Sequence, residues 1–196
     1  MGGSQNEIQG TVTGSNTVEF LDEVTLTAVP NYGYHFVQWN DGSIDNPRLV
    51  SATQNYTYSA QFDYNKYHIM LNVDNNIHGT VSGVGNYNYL SERTISATPN
   101  YGYHFTQWSD GNTDNPRTIT LIQDTSFTAE FAKNLYSITG VSQNEIQGLV
   151  MGSDTVEYLD EVTLTVVPNY GYHFTQWNDS NIDNPRLVMA THDSSF

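Results

Sequence analysis

Apolar residues in this chain recur with a period of two over short stretches, and turn-forming residues fall between those stretches. In "YHIMLNV", Tyr67, Ile69, Leu71 and Val73 share one face, while His68, Met70 and Asn72 share the other. Side chains alternate across a strand, so this pattern predicts a strand with one buried face. "VTLTAVP" reads the same way, with Val24, Leu26 and Ala28 inward and Thr25 and Thr27 outward; "TISATP" places Ile95 and Ala97 inward. "GTVSG", "YHFTQW", "RTITLI" and "SFTAEF" complete a predicted module of five to six short strands. In "PNYG", Pro cannot donate to a ladder and Gly accepts a positive φ, so a turn is expected there. "SDGNTDNPR" marks a second turn through Asp-Gly and through the residue before Pro, which is kept out of the α region. No stretch longer than two turns carries a 3.6-residue apolar period. The expected fold class is therefore all-β.

The pattern itself repeats. "PNYGYHFVQWNDG" at Pro30 returns as "PNYGYHFTQWSDG" at Pro99 and as "PNYGYHFTQWNDS" at Pro168, 69 residues apart each time. Trp39, Trp108 and Trp177 keep that spacing, as do Arg48, Arg117 and Arg186. A period this long suits small modules, each with its own core, in a head-to-tail array. The expected domains are residues 1–66, 67–135 and 136–196. Repeat 1 opens without the "Y-x-I" of the others and repeat 3 stops before a "TAEF", so the chain reads as part of a longer array. Repeats 1 and 3 share "SQNEIQG" and "LDEVTLT", which repeat 2 replaces. Only four residues separate Phe62 from Tyr67 and Phe131 from Tyr136, without a Gly or Pro run, and this predicts stiff stacking.

Phe36 and Trp39, Phe105 and Trp108, and Phe174 and Trp177 are the largest apolar groups of each unit and the expected structural core. A buried Phe or Trp is worth about 3–5 kcal/mol, comparable with the whole stability of so small a module. Gly42 and Gly111 become Ser180 in repeat 3. If that position needs a positive φ, Ser is strained there, and a looser or differently built turn is expected.

Charge removes several function classes. Lys and Arg number 6 against 21 Asp and Glu, for a net charge of −15. Nucleic-acid binding relies on cationic contacts to phosphate, and anionic membranes repel such a surface. With no cysteine, disulfides, zinc thiolates and thiol catalysis are excluded. No apolar run approaches the roughly 20 residues of a membrane span, and "MGGSQNEIQG" is not a signal peptide. Neither membrane insertion nor nucleic acid is expected.

"G-T-V … V-T-L-T-A-x-P-N-x-G-Y-x-F-x-x-W-x-D-G … N-P-R … F-T-A-E-F" resembles the internalin B-type repeat in its divergent Listeria–Bacteroides form, over essentially the whole chain. The resemblance implies small β-rich modules, β-grasp-like or sandwich-like. It also implies placement in a bacterial cell-surface or secreted protein, extracellular, with the export signal outside this chain, and a spacer or accessory binding role. No amphipathic segment offers itself as a β-grasp helix.

Candidate chemistry is sparse. His35, His104 and His173 lie one per repeat and cannot share a metal. Asp41 and Asp45, with Asp110, Asp114, Asp179 and Asp183, place oxygen ligands on turns, so Ca²⁺ is the one cofactor to consider. The spacing is not that of a calcium loop, and Asx-type turns with an Arg48–Asp41 ion pair are the simpler account. Tyr32, Tyr34, Tyr101, Tyr103, Tyr170 and Tyr172 could stack on a glycan or a host or cell-surface protein. No nucleophile elbow, metalloprotease motif or phosphate loop occurs, so no enzyme is expected. A non-catalytic spacer, monomeric within a longer protein, is the leading expectation. The alternative is an adhesive module acting through the repeated tyrosine turns.

Overall fold

The computed structural model describes residues 2–4 and 7–196. Repeat 1 holds β1 (Gly2–Ser4), β2 (Gly10–Thr13), β3 (Glu23–Pro30), β4 (Tyr34–Trp39), β5 (Arg48–Ser51) and β6 (Tyr58–Tyr64). Repeat 2 holds β7 (Lys66–Val73), β8 (Gly79–Ser82), β9 (Gly85–Asn88), β10 (Glu92–Pro99), β11 (Tyr103–Trp108), β12 (Arg117–Thr120) and β13 (Thr125–Lys133). Repeat 3 holds β14 (Leu135–Thr139), β15 (Gly148–Met151), β16 (Asp154–Glu157), β17 (Glu161–Pro168), β18 (Arg186–Met189) and β19 (Ser194–Ser195). The fold is all-β, and the described residues contain no helix. The β-grasp helix is therefore missing from them. The complete repeat has seven strands rather than the five to six expected; the addition is β9, whose "GNYN" is too polar to stand out as a strand.

The fold divides into two compact units whose boundary falls within repeat 2. One comprises Met1–Met70, Gly83–Ile95 and Arg117–Ser126; the other comprises Leu71–Ser82, Ser96–Pro116 and Phe127–Phe196.

In the first unit, β6 lies between β1, parallel to it from Gly2↔Tyr58 to Ser4↔Ala60, and antiparallel β4. A second sheet has the order β2-β3-β5, and the two sandwich Leu26, Ala28, Trp39, Ala60 and Phe62. The same unit takes the opening of repeat 2, where β7 pairs with β9 from Lys66↔Asn88 to Ile69↔Gly85.

The second unit holds the β8–β10 and β11–β13 pairs and all of repeat 3. There β14 lies between antiparallel β16 and parallel β19, and β17 between β15 and β18. Ile138, Val162, Leu164, Trp177, Val188 and Ala190 form the core. In repeat 3 the stretch equivalent to β4 and β11 is not a strand.

A bulge explains how Phe and Trp, three residues apart, both face inward. Strict alternation would put Phe36 and Trp39 on opposite faces. The β4–β6 register shifts between Phe36 and Gln38, and the β11–β13 register between Phe105 and Gln107. The extra residue turns the strand. Phe36 and Trp39 then meet at 5.5 Å between ring centroids; Phe105–Trp108 and Phe174–Trp177 both meet at 5.4 Å. All three indoles are buried, with Phe36, Phe105 and Phe174 half-buried beside them.

The "DG…DNPR" turn completes this core. Each buried indole N–H donates to the loop carbonyl of Asp45, Asp114 or Asp183, at 2.8, 3.0 and 2.8 Å. This satisfies a donor that would otherwise be costly to bury. Asn46 bonds both the N–H and the carbonyl of Ala28, each at 2.8 Å, and so extends the pairing of β3 beyond the end of β5. Asn115 does the same to Ala97, and Asn184 to Val166. The Arg48 guanidinium lies over Trp39 and Tyr58 and donates to Asp41 Oδ1 at 2.7 Å. Arg186 covers Trp177 and Phe196 and forks onto both Asp179 oxygens at 2.9 Å.

The expectation of a looser turn at Ser180 is not met. Ser180 adopts φ 68° and donates to the Trp177 carbonyl at 3.0 Å, as Gly42 with φ 86° does to Trp39 at 2.9 Å. Arg186, Asn181 and the indole all bond this turn, and together they impose the left-handed conformation on a serine.

Candidate functional site: the tyrosine junctions between repeats

The "PNYG" turn presents two tyrosines at the end of each repeat. Asn31 anchors it: its N–H donates to the Gln9 carbonyl at 2.9 Å and its side-chain amide to Ile8 at 3.0 Å. Tyr34 N–H closes the turn on the Asn31 carbonyl at 3.1 Å, with Gly33 at φ 85°. Asn100 and Asn169 set the same turn in repeats 2 and 3.

In repeat 1 this turn seats a tyrosine of repeat 2. Tyr89 meets Tyr32 edge-on at 5.6 Å, Tyr34 at 5.7 Å and Tyr67 at 6.2 Å. The seat itself is Gly33. A Cβ there would lie 2.2 Å from the Tyr89 ring, so no other residue allows this approach. The Tyr32 hydroxyl donates to the Ile122 carbonyl at 2.8 Å. Between the repeats stands Asn65. Its N–H donates to the Gly33 carbonyl and its own carbonyl accepts from Tyr89 N–H, both at 2.8 Å. Its side-chain oxygen meets His35 Nδ1 at 3.1 Å. The linker is thus held from both sides.

The second junction repeats this plan within the other unit. Tyr158 meets Tyr101 and Tyr103 at 5.7 Å and Tyr136 at 6.2 Å. A Cβ on Gly102 would lie 2.3 Å from Tyr158. Tyr101 donates to the Thr191 carbonyl at 2.7 Å. Asn134 N–H donates to Gly102 at 2.8 Å, its carbonyl accepts from Tyr158 at 2.9 Å, and its side chain meets His104 at 2.9 Å. Lys133 adds ion pairs to Asp160 at 3.3 Å and Glu157 at 3.7 Å.

The environment shifts several ionisations. Desolvation, followed by neighbouring tyrosines, holds the hydroxyls of Tyr32, Tyr34 and Tyr101 above the usual phenol range. The hydrogen bond to Asp160 raises Lys133. Bonds from Arg48 and Arg186 hold Asp41 and Asp179 below the usual carboxylate range.

Of the six turn tyrosines singled out in the sequence, four therefore meet at junctions: Tyr32 and Tyr34 at the first, Tyr101 and Tyr103 at the second. Tyr170 and Tyr172 stand open to solvent. The turn aspartates do not converge, and among the described residues no three His, Asp or Glu side chains are placed to hold a metal ion. Sequence reasoning missed Tyr89, Tyr158, Asn65 and Asn134. The signal was present in "NYNYL" and in the Asn that falls two residues before each opening Tyr67 or Tyr136.

No helix among the described residues is long and apolar enough to cross a membrane. No curated protein and no solved structure matches the chain. A family model described as a divergent InlB B-repeat domain matches residues 4–66, 69–135 and 138–195. The repeated turn, its bulged aromatic strand and the three matched segments together place this chain in the divergent InlB B-repeat family.

Proposed function

We propose that this chain is a non-catalytic spacer segment of a bacterial cell-surface or secreted repeat protein, and that its tyrosine junctions fix each repeat against the next. The observation that carries this reading is the Gly33–Tyr89 seat with its Asn65 linker, built again at Gly102, Tyr158 and Asn134. A linker bonded through its N–H, its carbonyl and its side chain has little freedom left, so the junction transmits orientation rather than acting as a hinge. Small-angle scattering of the chain against its Gly33→Ala/Gly102→Ala variant tests this. Added flexibility in the variant alone supports the reading; two equally flexible profiles refute it.

A second reading is favoured by exposure. Tyr32 and Tyr101 remain 66% and 68% exposed at their junctions, one repeat apart. Repeated open tyrosine faces suit weak glycan or host-protein binding strengthened by avidity. Glycan-array or surface-protein binding that Tyr170→Ala weakens without unfolding would favour this reading over a pure spacer.

A further inference from the structure

In repeat 3, one sheet face carries large apolar side chains that the fold does not require. Strands β15, β17 and β18 turn Val150, Val162, Leu164 and Val188 toward the core. Their other face presents Leu149 beside Val167, Met151 beside Thr165, Leu187 beside Thr163 and Met189 beside Glu161. The five apolar residues on it are each between 45% and 66% exposed. They spread over three adjacent strands and about 20 Å of strand length, a patch on the order of 300 Å².

The equivalent positions of the other repeats are more polar. Repeat 2 has Thr80, Ser82, Thr98, Thr118 and Thr120 there, and repeat 1 has Thr11, Thr13, Val29, Leu49 and Ser51. The inward residues hold steady: Val12, Leu26 and Val50 of repeat 1 return as Val150, Leu164 and Val188. Thr suits a solvent-facing strand position at least as well as Leu or Met, so stability does not explain the replacement. Position along the chain does not explain the exposure either. The five counterparts in repeat 2, which has a repeat on either side, are exposed as well.

Charge identifies the occupant. Residues 136–196 carry eight carboxylates and one Lys or Arg, Arg186. That guanidinium lies inward over Trp177 and is bonded to Asp179. Glu161 stands on the apolar face itself. Exposed Glu145 and Asp154 precede and follow β15, and exposed Asp183 and Asp193 do the same for β18. We propose that this face binds a segment of another protein whose apolar side chains are flanked by Lys or Arg. The apolar centre supplies the burial, and the acidic surround sets orientation and speeds encounter. A second copy of this chain fits poorly. It brings the same negative charge, and the patch falls short of the roughly 800 Å² per partner of a standard interface.

This goes beyond the spacer reading, and its failure leaves that reading untouched. The probe is an amphipathic Leu–Lys helical peptide of about 14 residues, which spans about 20 Å. Calorimetric titration of the full chain at about 0.15 M salt should show one peptide bound, and a control peptide with Ser in place of Leu should not bind. Leu149→Thr/Met151→Ser/Leu187→Thr/Met189→Thr introduces the residues of repeat 2 and should weaken binding at least about tenfold. The reverse transplant, Thr11→Leu/Thr13→Met/Ser51→Met, should add a second bound peptide, and it decides the matter should the first variant fail to fold. Unchanged affinity in the first variant, no second site in the transplant, or equal binding of the control peptide overturns the proposal. So does self-association, seen by sedimentation, that the first variant abolishes, because the face would then belong to a second copy.

Discussion

The two junctions share one frame but close it with different chemistry. At the first, Tyr64 packs on Tyr34 at 5.1 Å between centroids, and the contact is aromatic. At the second, the residue equivalent to Tyr64 is Lys133, which reaches Asp160 and Glu157; His78 stacks on Tyr103 at 4.5 Å. Glu157 and Asp160, which pair with Lys133, stand where repeat 2 has the uncharged Asn88 and Ser91. The Gly–Tyr seat and the Asn linker do not change. The unvarying part sets geometry, and the varying part decides which solution conditions loosen each junction.

The largest expected effect comes from the shared part. Gly33→Ala, Gly102→Ala and Gly171→Ala impose a similar left-handed strain of about 1 kcal/mol, since their φ values are 85°, 85° and 87°. Only the first two drive a Cβ into a ring, which adds about 1–3 kcal/mol. Denaturant unfolding should separate Gly171→Ala from the other two; equal losses at all three sites would show that the seat contributes nothing.

Salt should next distinguish the junctions. Ionic strength of about 1 M shortens the Debye length to about 3 Å and should speed exchange at Asn134 and Tyr158 amides while leaving Asn65 and Tyr89 amides unchanged. Lys133→Met should remove that salt response. Parallel behaviour at both junctions would mean that Lys133 does not matter to the second.

Alkaline pH gives a smaller, graded difference. Tyr32, Tyr101 and Lys133 all have raised folded values, so the stability they contribute is complete below the unfolded values near 10 and is lost as pH rises through the folded ones. Near-ultraviolet circular dichroism of the tyrosines should fall above about pH 10, and Lys133→Met should flatten the part that belongs to the second junction.

The smallest effect lies outside the junctions. Asp41 and Asp179 have lowered values, so their ion pairs stabilise the turns above the ordinary carboxylate value of 3.8 and are lost as pH falls through the folded value. Asp41→Asn should reduce the acid sensitivity of repeat 1 and leave both junctions unaffected in hydrogen exchange.

Much of this was legible along the chain because strands write their buried face locally. Leu26, Ala28, Ile69 and Ile95 are all buried on the alternating face. The Phe-x-x-Trp spacing contradicts that alternation, and in hindsight the contradiction marks the bulge. The seven-strand count was hidden because β9 earns its place through Tyr87, covered by Arg93, and not through an apolar face. The junctions were hidden for a different reason. Tyr32 and Tyr89 belong to separate repeats and each looks like an exposed turn residue until the next module arrives. Position in a periodic pattern reveals what a repeat buries within itself, not what it buries against its neighbour.

Amide hydrogen exchange at Asn65 and Asn134 tests the central claim most directly, because each N–H crosses a junction to a glycine carbonyl. Protection comparable with the strand amides of Ile69 and Ile138 is the predicted result. Exchange as fast as an open loop, with those strands still protected, would show that the repeats are joined by free linkers and would contradict the account.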